Sequence, residues 1–332
     1  MRSASRTSIG SHRGFTLVEI MVALALGAII LLGVTQIFTN NSRTRAEIDR
    51  TGVQIESGAY ALGLLESDLT SAGFWGEAAA QPAAGTLPPV CPGLGADLAA
   101  AGVEMQDTLG YPVQGEGALT ASCASPKSGS DFLAIRRASS CALGSPGTAC
   151  ENATANFYLQ VNACFEPSDS SAPLPGILQM SSVVADLDYT QRDCTTVAPR
   201  YQLLSRVYYV NSDDVLVRAE LDRDSSTTAY QQTPLVEGVE AMRFEYGLDT
   251  DGDGQVDLNT ADPVGPQWAD VVMVRVSLVV RNLQPTGGYS DTRTYVVGGE
   301  AYTVPADFQG FKRQVYSRTV SIRNVAGRRE AQ

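Results

Sequence analysis

The sequence predicts an α+β protein in which one long N-terminal helix precedes a largely antiparallel β-sheet. Three observations carry this. Residues 15–38 form an apolar run of helical length, no proline occurs before Pro82, and from residue 131 onward short β-branched and aromatic segments alternate with turn residues. The 332 residues are 44% hydrophobic with 31 glycines and 16 prolines, enough to bury a core in a loop-rich fold.

The run 15–38 holds one charge, Glu19. As a helix at about 1.5 Å per residue it reaches across a hydrocarbon layer roughly 30 Å thick. A secretory signal would have a shorter apolar core and a small-residue cleavage site. Here the polar, helix-compatible TNNSRTRAEIDR follows instead. Arg2, Arg6 and Arg13 precede the run, so the leader should stay cytoplasmic and everything after about residue 40 should lie outside the cytoplasm. A carboxylate in such a segment costs on the order of 2.5 to 3.5 kcal/mol at mid-span, and less near an end. Glu19 therefore sits at headgroup level or meets a cation. Cutting between Gly14 and Phe15 would supply that cation: it frees an α-amine four residues from Glu19, which a like subunit packed alongside could offer to the carboxylate.

The stretch RGFTLVEIMVAL, starting at Arg13, resembles the type III signal of type IV prepilins and type II secretion pseudopilins. The resemblance implies that prepilin peptidase cuts after Gly14 and methylates the new amine of Phe15. It implies that Glu19 is the assembly glutamate, pairing with an N-terminal amine in the filament. It also implies a type IV pilin fold, divided into a leader (1–14), a transmembrane and filament-core half-helix (15–38), an amphipathic half-helix (39–72) and a periplasmic, disulfide-bearing, β-rich domain (73–332).

Beyond the span, Ile48, Ile55, Leu62 and Leu69 recur every seven residues with Ala59 and Leu65 beside them, which predicts one buried stripe. Gly52, Gly58 and Gly63 each weaken the helix by up to about 1 kcal/mol relative to alanine. The helix is expected to end near Ala72, with Gly73 as its cap. Residues 76–130, rich in Ala, Gly and Pro, read as an irregular, disulfide-tied excursion. Strand signals follow at 131–139, 156–162, 205–221, 239–249, 269–282 and 313–324, the third being a hairpin that turns at 211–214.

The ordered phrases DLTSAGFWG, YYV with VLVRAEL, PLVEGVEAMRFEYGLD, VVMVRVSLVVRN and VSIRN resemble the PilW group of type IV pilus minor pilins. That resemblance implies a subunit that primes pilus assembly and sits at the pilus tip with other minor pilins, the major pilin and a PilY-type adhesin. The J-type pseudopilin of type II secretion shares the N-terminus and is the alternative, followed by a bitopic periplasmic binding protein.

Cys91, Cys123, Cys141, Cys150, Cys164 and Cys194 all lie in the middle third, without C-x-x-C spacing. With an export-type N-terminus, an even count points to periplasmic disulfides rather than to zinc or a redox pair. Pairing is open among fifteen connectivities, with Cys141 to Cys150, which close a short loop, the first guess. The only histidine, His12, lies in the leader, and no P-loop, paired-acid or G-x-S-x-G pattern occurs, so no enzyme is expected. The formal net charge of −12 disfavours nucleic acid.

One cation-binding pattern remains. In DTDGDGQVD, Asp249, Asp251, Asp253 and Gly254 match the start of an EF-hand calcium loop, Gln255 can offer its backbone carbonyl, and Asp257 takes the ninth position. Thr260 replaces the closing glutamate, so a structural calcium would be held weakly, near 10⁻⁴ to 10⁻³ M. A solvated Asp-Gly turn is the competing reading.

Overall fold

The computed structural model describes residues 14–92, 98–143, 157–168, 173–224 and 227–331. The first helix, α1, spans Leu17–Ser71. It stops where Gly73 takes φ +68° and donates its N–H to the Arg136 carbonyl at 2.9 Å, a left-handed turn that a Cβ would strain. The chain divides into two compact units, one ending at Gly52 and the other beginning at Val53. In the first, every large apolar side chain between Phe15 and Phe38 is exposed, and this part of α1 is long and apolar enough to cross a membrane.

In the second unit the buried face of α1 is Gln54, Gly58, Ala61, Leu62, Leu65, Asp68 and Leu69. This corrects the seven-residue stripe: Leu62, Leu65 and Leu69 are buried, at about 1.5 to 3 kcal/mol each, whereas Ile48, Ile55 and Ala59 are exposed. Specific polar and steric fits turn the helix. The Gln54 amide donates to the carbonyls of Val280 at 2.7 Å and Lys312 at 3.2 Å. Gly58 lies against the Tyr316 ring so closely that a Cβ would come within 2.6 Å of it. The residue with the poorest helix propensity is thus placed by packing.

After α1 come α2 (Leu98–Asp107) and the strands β1 (Val113–Gln114), β2 (Phe132–Ala142), β3 (Tyr158–Val161), β4 (Leu178–Ser181), β5 (Arg200–Val210), β6 (Val215–Asp224) and β7 (Thr227–Glu237), which form one antiparallel sheet. Strand β2 pairs along one edge of β5, while the other edge is shared between β3 at its start and β6 at its end. Asn211 to Asp214 form the β5–β6 turn, with Asp214 at φ +60°. A second antiparallel sheet has the order β13-β10-β8-β9, from β8 (Val239–Leu248), β9 (Leu258–Thr260), β10 (Val271–Arg281) and β13 (Arg313–Ser321). A separate hairpin joins β11 (Thr294–Val297) to β12 (Glu300–Thr303). The phrase 313–324, read as strand throughout, is strand only to Ser321. The short helix α3 (Arg323–Glu330) then follows, held by buried Val325 and by Arg328, which donates to the Gly73 and Ala78 carbonyls.

Alternation along the strands sorts side chains into two cores. Leu133, Ile135, Tyr208 and Val210 face α1 and the second sheet. Ala134, Ala138, Val207 and Tyr209 face the other side, with Trp75, Met105 and Phe157. Fully buried Arg136 has no carboxylate partner among the described residues. It donates to the carbonyls of Tyr111 and Val90 and to Gln114 Oε1 at 2.8 Å, and burial lowers its pKa to about 10. It ties the segment around Val90 to β1 and β2.

Two disulfides are described, Cys91–Cys123 and Cys164–Cys194, closing separations of 32 and 30 residues. Loops of that length imply about 3 to 4 kcal/mol each from restricting the unfolded chain. The expected Cys141 to Cys150 pair lies outside the described residues, because Cys150 does.

Charge is buried where α1 meets the sheet. Asp68, 4% exposed, accepts from Arg206 Nη1 at 2.8 Å, Tyr208 Oη at 2.5 Å and Arg137 Nε at 3.3 Å. Arg206 also pairs with Glu220 at 3.1 Å. Burial, then the Asp68 charge, pushes the Tyr208 hydroxyl far above its ordinary value, so it donates at any ordinary pH. Nothing in the helical pattern of the sequence marked Asp68 for the interior.

Candidate functional site

Two places carry the chemistry that the sequence suggested, the start of α1 and the Asp-rich turn between β8 and β9. Phe15 is 78% exposed, and the helix begins two residues later. Thr16 caps it: its Oγ1 accepts the Glu19 N–H at 3.2 Å and its carbonyl accepts the N–H groups of Glu19 and Ile20. The spacing Thr16-x-x-Glu19 is that of a capping box, a signal the processing reading had overlooked. It puts the Glu19 carboxylate in the first turn, where the partial positive charge of the amide N–H groups favours an anion. The glutamate thus fits the local helix start as well as any cation brought from outside.

In the Asp-rich turn, Gly252 and Gly254 take φ +87° and +83°. Carboxylate oxygens of Asp249, Asp251 and Asp257 lie within 4.8 Å of one another, a spread that one calcium ion with ligands at about 2.3 to 2.6 Å can bridge. Asp253 stands outside that group. Its carboxylate accepts the backbone N–H of Gln255 at 2.8 Å and the Gln255 amide at 3.1 Å. Buried Asp249 accepts the N–H groups of Gly252 at 2.7 Å and Gly254 at 2.9 Å, and Arg329 Nε donates to it at 2.8 Å. Burial alone would raise the Asp249 pKa, but those two amides and the Arg329 charge outweigh it and the net shift is downward. Asp257 is lowered by the backbone and hydroxyl of Thr250. Asp251 and Asp257 have no ion-pair partner among the described residues. Thr260, in the closing position, belongs to β9 and pairs with Tyr246.

Arg329 was not foreseen. It also reaches Asp270 at 2.9 Å and the Asp249 carbonyl at 3.0 Å, so α3 fastens the turn to the start of β10. A Cβ on Gly254 would come within 2.6 Å of the Ala326 carbonyl, which makes that glycine a contact point as well as a turn residue. An arginine eighty residues away in sequence leaves no local mark.

Comparison with known proteins gives two family matches. Residues 10–35 match the prokaryotic N-terminal methylation motif, and residues 207–324 match the family of the type IV pilus-assembly protein W. No curated protein matches the chain. Among solved structures, a type IV-like pilin from Thermus thermophilus is similar at 12% identity over 82% of this chain and 97% of that one, with a TM-score of 0.37; so loose a likeness carries no argument. The methylation motif and the apolar helix behind it fit a membrane-anchored pilin, a kind of protein that prepilin peptidase processes and that contacts other pilus components. The chain thus carries two matched segments, the methylation motif at the start of the apolar helix and the PilW family over the residues that hold β8, β10 and β13.

Proposed function

We propose that this chain is a type IV pilus minor pilin of the PilW family, cut after Gly14, N-methylated on Phe15, and working in starting pilus assembly, ending at the pilus tip. The observation that carries the reading is the contiguous run Gly14-Phe15-Thr16-Leu17-Val18-Glu19 at the head of a 55-residue helix. In the inner membrane the apolar part of α1 stores the subunit, with the leader on the cytoplasmic side and the chain after about residue 40 on the periplasmic side. Cleavage then gives Phe15 an amine for the Glu19 carboxylate of a neighbouring subunit, so the anion that is costly in lipid becomes a register mark in the filament. Other minor pilins, the major pilin and a PilY-type tip adhesin are the partners. The role is structural, without catalysis. The PilW match favours this over a J-type secretion pseudopilin.

Immunogold labelling of an epitope-tagged chain tests the location. Gold confined to filament ends, with pilus number falling sharply on deletion of the gene, supports the tip reading; gold spaced along filament shafts contradicts it.

A second reading, structural calcium in the Asp-rich turn, is favoured by the convergence of Asp249, Asp251 and Asp257. Arg329 offsets one of those charges, which leaves Asp251 and Asp257 for the ion to neutralise. At a dissociation constant of about 10⁻⁴ to 10⁻³ M, roughly 10 mM calcium stabilises the fold by about 1.4 to 2.7 kcal/mol. The melting temperature should rise with calcium, and Asp251→Ala should remove the rise. Identical melting curves in calcium and in chelator would discard the ion.

A further inference from the structure

We propose that the cleft beside the Cys164–Cys194 disulfide receives a lysine or arginine side chain from an extended segment of another pilus protein. The cleft has a volume of about 370 Å³, within the range of specific binding pockets, and is lined by Val161, Pro199 and Tyr201 together with Glu77, Arg192 and Asp193. It lies in the stretch between the two family-matched segments, so neither match accounts for it.

The charges in the cleft are not equivalent. Asp193 is used by its own turn: it accepts the N–H groups of Thr195 at 3.0 Å and Thr196 at 2.8 Å and the Thr196 hydroxyl, and these bonds hold its pKa at about 2. Glu77, by contrast, has no hydrogen-bond or ion-pair partner among the described residues. It lies near enough to the Tyr201 ring that, after burial, its charge is the second cause raising that hydroxyl's pKa. A carboxylate next to an aromatic ring and aliphatic walls suits a side chain with an apolar stem and a cationic head.

Arg192, on the same cleft and with no side-chain hydrogen-bond or ion-pair partner among the described residues, favours a peptide as the source of the cation. Its guanidinium can donate to main-chain carbonyls, which an inserted peptide brings with it and a free polyamine lacks. Exposed large apolar residues stand within two positions of lining residues in sequence: Phe165 at 64%, near Ala163, and Val197 at 47%, beside Ala198. Such residues are laid out for contact with protein rather than with a small cation. The Thr190–Val197 bridge closes the turn that presents Val197, and the disulfide ties that turn to Cys164, next to Phe165.

The identity of the partner rests on the pilus-subunit reading, and the test separates the two. A photo-crosslinking amino acid is placed at Val197 of the full chain in its host, and the sheared filament fraction is analysed after irradiation. The expected result is an adduct to a different pilus protein, with the crosslinked peptide mapping within a few residues of a lysine or arginine. Glu77→Lys should lower the adduct yield by about tenfold or more through like-charge repulsion, and reversing the partner's basic residue to glutamate should restore it. If the chain is in the filaments but forms no adduct, forms one only with a second copy of itself, or crosslinks equally well as Glu77→Lys, the cleft assignment is overturned while the pilus reading stands. Absence of the chain from the filaments removes both.

Discussion

Asp68→Ala is expected to destabilise the unit that begins at Val53 by about 3 to 5 kcal/mol. The change leaves the buried Tyr208 hydroxyl without its acceptor and takes from Arg206 and Arg137 the carboxylate that both donate to, with Glu220 still beside Arg206. Removing one member of a buried charged cluster costs far more than the interaction is worth, because the desolvation of the groups left behind remains while much of the attraction is lost. Glu66 on the same helix is the control. It pairs with Arg318, but those side chains are 43% and 48% exposed, so Glu66→Ala should cost no more than about 1 kcal/mol. Urea unfolding of the full chain in detergent, followed by tryptophan fluorescence from Trp75 and Trp268, measures both. Equal losses from the two substitutions would show that the Asp68 cluster contributes nothing special to docking α1.

Glu19→Ala should still enter the membrane, with even less resistance, yet its recovery in sheared filaments should fall by roughly a hundredfold. Breaking an ion pair removed from water costs on the order of 3 kcal/mol or more, which sets that scale. Thr16→Ala separates this role from the capping one. It removes the hydroxyl that accepts the Glu19 N–H, worth about 1 kcal/mol to the helix start, and leaves the carboxylate in place. Quantitative immunoblotting of membranes and filaments reads both substitutions. If Thr16→Ala reduces incorporation as much as Glu19→Ala, the glutamate matters for starting the helix and not for meeting an amine.

What could be read in advance followed from local pattern. A long apolar run without proline forms one helix whatever surrounds it, and the strands with strong alternation, such as β5, β8 and β10, were recognisable for the same reason. The burial of α1 was misread because spacing alone cannot know the partner surface. Gln54 and Asp68 are buried since the sheets offer carbonyls, guanidinium groups and a hydroxyl opposite them, and Ile55 is left outside. Strand β7 went unrecognised: it is an edge strand whose segment QQTP is polar and exposed and contains a proline, so it lacks the apolar alternation that marks a half-buried strand. Helix α3 has almost no apolar residues and is held by long-range arginine contacts, which sequence neighbours do not announce. In the Asp-rich turn the residue types were legible, but the withdrawal of Asp253 and the arrival of Arg329 depend on backbone placement.

Glu19 requires a charged chain end, which only proteolysis after Gly14 creates at Phe15. Intact-mass and N-terminal peptide mass spectrometry of the chain recovered from sheared filaments tests this directly. A chain that begins at Phe15 with a methylated α-amine is the predicted result. A chain in working filaments that still carries Arg2, Arg6 and Arg13 would contradict the account at its base.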